Sequence, residues 1–161
     1  IVVKAQVLPT LNMQLSTSEI NLGTLVGGVT ASGTLDIEVG TNAADGVTIT
    51  ARSGSGGLTN VDDNSIKINN TATDGIVESY TFASTANAID STVSGFTTTG
   101  NLGTTQVNNN STEHVIYNTN KPEAFNNTVK DLTFRVSATT DAQTQAGSYE
   151  DTITFTVTGK F

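Results

Sequence analysis

The chain has 161 residues, a net charge of −8, 35% hydrophobic and 14% charged residues, and neither Cys nor Trp. That length suits one domain with its own core. The charge leaves too little basic surface to follow a nucleic-acid backbone or an anionic membrane, and the lack of cysteine excludes disulfides, thiolate metal sites and a Cys nucleophile. Thr, Asn, Ser and Gly make up most of the rest, and no long segment repeats apolar residues at three-to-four spacing, so an all-β chain is predicted. No apolar run approaches the length of a membrane span. A chain that opens on Ile1 without Met, with this composition, is expected to be a secreted product whose leader has been removed.

Ile1, Val3, Ala5 and Val7 share one parity, with Lys4 and Gln6 opposite, and the parity runs on through Leu11, Met13 and Leu15. Pro9 interrupts it, because proline cannot donate to a ladder. The expectation is an N-terminal strand over residues 1–8, set apart as an extension (1–9), followed by a single sandwich domain (10–161) whose first strand spans residues 10–15. Residues 19–23 read as a short strand ended by Val26-Gly27-Gly28. Leu35, Ile37 and Val39, then Val47, Ile49 and Ala51, alternate with polar residues on either side of Asp45-Gly46, which predicts a hairpin. Residues 52–57 read as a flexible Gly/Ser loop. Ile66 and Ile68, Tyr80 and Phe82, and Val115-Ile116-Tyr117 mark short strands, while residues 84–110, around Ile89, Val93 and Phe96, look like an insertion.

Order returns with Leu132, Phe134, Val136 and Ala138, and then with the most regular run of the chain. There Ile153, Phe155 and Val157 form one face, and Thr152, Thr154, Thr156 and Thr158 the other. A C-terminal strand of this kind must pair with strands already laid down, and is expected to close the fold. Roughly nine to eleven short strands with turns between them indicate an antiparallel β-sandwich of Ig-like or pilin-like type.

Residues able to do chemistry are few. His114 is the single histidine, too little for a triad or a His-based zinc site. Asn60, Asp62 and Asn64 have the alternating oxygen spacing of a calcium loop, but Ser65 stands in place of the turn glycine and no Glu closes it, so a structural loop is the preferred reading. Asp62-Asp63 and Glu150-Asp151 are adjacent acids that point to opposite faces of a strand, which suits solvated edges better than a glycosidase pair. Lys4 is of the type that forms isopeptide crosslinks to Asn in some surface domains, although lysine on a wet face is far commoner. Asn69, Asn109, Asn110 and Asn126 begin Asn-x-Ser/Thr triplets, read as marking exposed loops. No phosphate loop, nucleophile elbow or paired His motif is present, so neither an enzyme nor a cofactor is expected.

Three segments carry a resemblance. Leu11-Asn12-Met13-Gln14-Leu15, then Ile20-Asn21-Leu22-Gly23-Thr24-Leu25, then Gly33-Thr34-Leu35-Asp36-Ile37-Glu38-Val39 resemble the opening of archaic chaperone–usher pilins and of spore coat protein U-like domains. The ending from Ala146-Gly147-Ser148-Tyr149 to Val157, with Phe161 last, is similar to their final strand. The chain departs from that pattern at Leu22, where the family has an aromatic, and in having no cysteine. The same ends resemble the WxL domains of Gram-positive surfaces, whose Trp is absent here.

The pilin resemblance implies a sandwich lacking one strand, completed by the N-terminal extension of the next subunit. Ile1, Val3, Ala5 and Val7 would be the donor residues, and Ile153, Phe155 and Val157 belong to the accepting core strand. The implied partners are identical subunits joined head to tail and an assembly chaperone, and the implied setting is the cell surface. The alternative from the residues alone is a monomeric carbohydrate- or protein-binding module, which has few aromatics to spare for sugar stacking. In that case residues 1–8 would be the first strand of their own sandwich.

Overall fold

A computed structural model describes residues 1–71, 76–87, 94–100, 102–125 and 130–161. Twelve strands and no helix are found among them: β1 (Leu11–Leu15), β2 (Thr30–Thr41), β3 (Val47–Ser53), β4 (Leu58–Asn60), β5 (Lys67–Ile68), β6 (Ser79–Ala86), β7 (Thr98–Thr99), β8 (Thr105–Gln106), β9 (His114–Thr119), β10 (Leu132–Thr139), β11 (Tyr149–Glu150) and β12 (Ile153–Gly159). Every pairing is antiparallel. One sheet has the order β1-β2-β10-β6-β8, the second β12-β3-β9-β7, and a small third one β11-β4-β5. The all-β, antiparallel expectation is met.

The alternation in the sequence explains which residues meet. Leu35, Ile37, Tyr80, Phe82, Leu132, Phe134 and Val136 from the first sheet, and Val47, Ile49, Ala51, Ile116 and Tyr117 from the second, form one buried cluster. Phe134 ties the two layers together, lying edge-to-face with Phe82 in its own sheet and with Phe155 on β12, each at 5.1 Å between ring centroids. Ile116 and Tyr117 are neighbours in sequence and yet both fully buried. A register shift between Ile49 and Thr50 explains this: Tyr117 pairs with Ile49 and Val115 with Thr50, so Ile116 is the extra residue of a β-bulge.

Several expectations are corrected. β2 and β3 are not a hairpin, because they lie in different sheets. The Asp45-Gly46 turn exists, with Gly46 at φ 80°, but it serves as a corner between layers. A side chain at Gly46 would meet the Thr119 carbonyl at 2.6 Å, so the corner folds tightly onto the end of β9. Residues 19–23 form no strand, and residues 1–8 form none either. The Gly/Ser stretch is packed rather than loose. Ser53 is fully buried, its hydroxyl donates to Asp151 at 2.7 Å, and the amides of Ser55 and Gly56 are held by Asp151 and by Ser53 Oγ. Part of the expected insertion is strand, since β6 runs to Ala86 and β7 and β8 follow; Ile89 and Val93 lie outside the described residues.

Replacing Phe134 by Ala removes the ring that joins both layers, and core Phe truncations cost about 3–5 kcal/mol. The expected result is a clearly lower midpoint in urea denaturation with an unchanged slope.

Candidate functional site: an open groove between two sheet edges

β1 and β12 are edge strands of their two sheets and lie close to one another, and among the described residues neither has a second strand neighbour. β1 pairs with β2 so that Ser16 N donates to Asp36 O at 2.9 Å and Asn42 N to Thr10 O at 3.4 Å. Hydrogen-bonding direction alternates along a strand, so the even-numbered residues of β1 face β2 and the N–H and C=O groups of Leu11, Met13 and Leu15 face outward. The same holds for β12. Gly54 N donates to Thr152 O and Lys160 N to Gly46 O, both at 2.8 Å, so the backbone groups of Ile153, Phe155 and Val157 face the open side.

The inward side chains of these two strands are correspondingly under-buried. Ile49 and Ala51 on β3 and Leu132 and Phe134 on β10 are wholly buried, whereas Met13, Leu15, Ile153, Phe155 and Val157 are only half-buried. A groove of about 1020 Å³ opens at one end of these edges, reached by Leu15 of β1 and by Ile153 and Phe155 of β12. Leu15, Leu35, Tyr80, Val136, Ile153 and Phe155 line its apolar floor, and the exposed Glu19, Asp141 and Glu150 make its rim acidic. The C-terminal strand therefore does not close the fold; it borders a gap.

The N-terminal arm is placed elsewhere. Residues 1–10 are all exposed, including Ile1, Val3 and Val7, and belong to no sheet. Asn42 grips the arm at its base, with Nδ2 donating to Leu8 O and Oδ1 accepting from Thr10 N, each at 2.7 Å, so both sides of Pro9 are held. In this structure the arm is not the first strand of its own sandwich.

The remaining candidate residues are not gathered into a site. His114 packs edge-to-face on Phe82 at 6.0 Å, and burial holds its imidazole below the usual pKa. Asn60 is buried, and its Oδ1 accepts from the amides of Asp62 and Asp63, while Asp62 and Asn64 are exposed. Among the described residues no group of three His, Cys, Asp or Glu side chains is placed to hold a metal ion. Asp151 is not a solvated edge: besides Ser53 it accepts from the buried Tyr80 hydroxyl at 3.1 Å. Lys4 is exposed on the arm, whereas Lys160, just past the end of β12, donates from Nζ to Asn118 Oδ1 on β9 at 2.8 Å. Asn109 and Asn110 are exposed as expected, but Asn69 is buried, with Nδ2 donating to Gly56 O at 2.8 Å. Asn126 lies outside the described residues.

One cluster escaped the sequence reading. Glu123 and Asp131 are buried at the end of the sandwich where Asn42 holds the arm. Asp131 Oδ2 accepts from Val39 N at 2.8 Å, at the level where β10 has not yet begun. Glu123 exchanges two backbone bonds with Thr41 and accepts from the Tyr117 hydroxyl at 2.7 Å. Burial, aided by the Asp131 charge and opposed by the Tyr117 hydrogen bond, pushes Glu123 up to about 8. Burial likewise raises Asp131, against the Val39 amide. Nothing in the spacing of these acids announces their meeting, which depends on Glu123 bridging to Thr41 and Asp131 reaching Val39 at the same end of β2.

A carboxyl whose folded pKa is raised binds its proton more tightly in the folded than in the unfolded chain. Its stabilising effect is complete below the ordinary value of 4.5 and is lost as pH rises through about 8. Thermal melts should show a higher Tm at pH 5 than at pH 9, and Glu123→Gln should narrow that gap. Each kcal/mol moves the Tm of a chain this size by about 2–4 °C.

Comparison of the chain with protein-family models, with characterised proteins and with solved structures finds no match.

Proposed function

We propose that this chain is a structural subunit of an extracellular, pilus- or fimbria-like filament, in which residues 1–8 of one copy fill the β1/β12 groove of the next. The observation that carries the reading is the pairing of two unfinished things in one molecule: a sandwich with two free edges flanking an apolar groove, and an exposed arm that alternates like a strand and has no sheet. A strand of eight residues spans roughly 26 Å, enough to run the length of β12. Its main chain supplies the ladder that the backbone of Ile153, Phe155 and Val157 lacks, while Ile1, Val3, Ala5 and Val7 face the floor. Lys4, on the opposite parity, suits an acidic rim.

Fully burying Ile1, Val3 and Val7 contributes about 1.5–3 kcal/mol each. Together that is about 4.5–9 kcal/mol, inside rather than above the roughly 4–15 kcal/mol that association costs, so the ladder supplies the surplus. Donation from one copy to the next is a heterologous contact that leaves one groove and one arm free at the ends, and its product is an open filament. A bare edge before assembly is an aggregation hazard, which gives an assembly chaperone a surface to cover. Any adhesive role then belongs to the exposed loops.

Negative-stain electron microscopy of the full chain should show filaments. None should form from a chain lacking residues 1–8, or from a Val3→Asp/Val7→Asp double variant whose circular dichroism matches the parent. A full chain that stays as dispersed, folded monomers overturns the reading in favour of a monomeric cell-surface binding module.

A further inference from the structure

The groove is not bare at its Leu15 and Ile153 walls. Residues 17–25 run across it, and Ile20, Leu22 and Leu25 are half-buried against the core. β1 stops at Leu15, opposite Ile37, so among the described residues the stretch of β2 from Thr30 to Asp36 has a strand neighbour on the β10 side only. The crossing segment lies above this stretch without joining it. Gly33 leaves the space for that, since a side chain there would meet Ile20 Cγ2 at 2.4 Å.

The hydrogen bonds of the segment set it apart. Its two ends are fastened to the body: Ser16 exchanges a backbone and a side-chain bond with Asp36, both 2.9 Å, and Gly28 N donates to Thr140 O at 2.8 Å. Between them, the bonds made by residues 17–25 are internal: Thr17 Oγ1 donates to Glu19 O and accepts from Glu19 N, and Gly23 N donates to Asn21 Oδ1. A segment attached at both ends and held between them by apolar side chains alone can lift without breaking a ladder.

We infer that residues 17–25 are a displaceable lid whose Ile20 and Leu22 occupy the groove until the arm of another copy enters, so that lifting it gates assembly. The inference rests on the strand-donation reading above. An isolated chain then keeps its groove covered and its core shielded, and the arm of the incoming copy replaces the lid's side chains with its own.

The chain has no cysteine, so a lock can be introduced cleanly. Ile20 Cγ2 sits one bond from Ile20 Cβ, which places the β-carbons of an Ile20→Cys/Gly33→Cys pair within the roughly 4.5 Å reach of a disulfide. The full-length double variant, refolded under oxidant, should run as a monomer in gel filtration, and filaments should appear when a reductant is added. A full-length Ile20→Ser/Leu22→Ser variant, with its lid loosened, should assemble several-fold faster than the parent after dilution from denaturant. Filaments from the oxidised double variant overturn the lid and leave strand donation standing. So does a double variant that is monomeric in both redox states beside a serine variant no faster than the parent. If the parent itself forms no filaments, donation fails and the lid falls with it.

Discussion

Backbone groups in a β-sheet must be paired or left to water, and in this molecule the positions where they are left coincide with the positions where the core is thin. On β1 and β12 the residues that turn apolar side chains inward are the same ones that turn N–H and C=O outward, because both alternations have period two. A single extra strand would satisfy both at once. It would extend a ladder and bury Leu15, Ile153 and Phe155 with the same residues. Much of the rest of the structure follows from that incompleteness: the acidic rim, the segment lying across the groove, and the arm held clear of it by Asn42.

The body holds its shape despite the gap because its polar interior is satisfied at the corners. Asp151 gathers Ser53, Ser55 and Tyr80 where β3 ends and β12 begins, so the third sheet and the last strand are anchored by one carboxylate. At the opposite end Asp131 takes the Val39 amide that β10 does not reach, and Glu123 pairs with Thr41 through the backbone. Buried acids are costly when charged. A proton held on the Glu123–Asp131 pair lowers that cost, and it makes this end of the sandwich responsive to pH, at the base of the arm that would leave for the neighbour.

Much of the fold was legible in the sequence. β1, β3, β10 and β12 follow the period-two runs closely, since a half-buried strand must alternate. Misreadings occurred where local pattern and global placement separate. Asp45-Gly46 has the chemistry of a hairpin turn, but whether two strands joined by a tight turn pair or part into different sheets depends on what else packs there, and here β9 takes the place beside β3. Ile20 and Leu22 alternate as a strand does, yet they pack over Gly33 of β2 instead of pairing with it. The Gly/Ser stretch looked loose because its partner, Asp151, lies almost a hundred residues further on in the chain.

The sequence alone determined the all-β class, the parity of the core-facing residues, the break at Pro9 and the apolar alternation of residues 1–8, because each rests on stereochemistry confined to a few neighbouring residues. Only the tertiary structure decided that β1 and β12 are edges facing a common groove, that the arm stands outside its own sheet, that residues 17–25 cover the gap, and that Glu123 and Asp131 meet. Each of these depends on contacts between residues far apart in the chain. Strand pairing and buried charge are settled by which surfaces the whole fold brings together, and no local window of sequence contains that information.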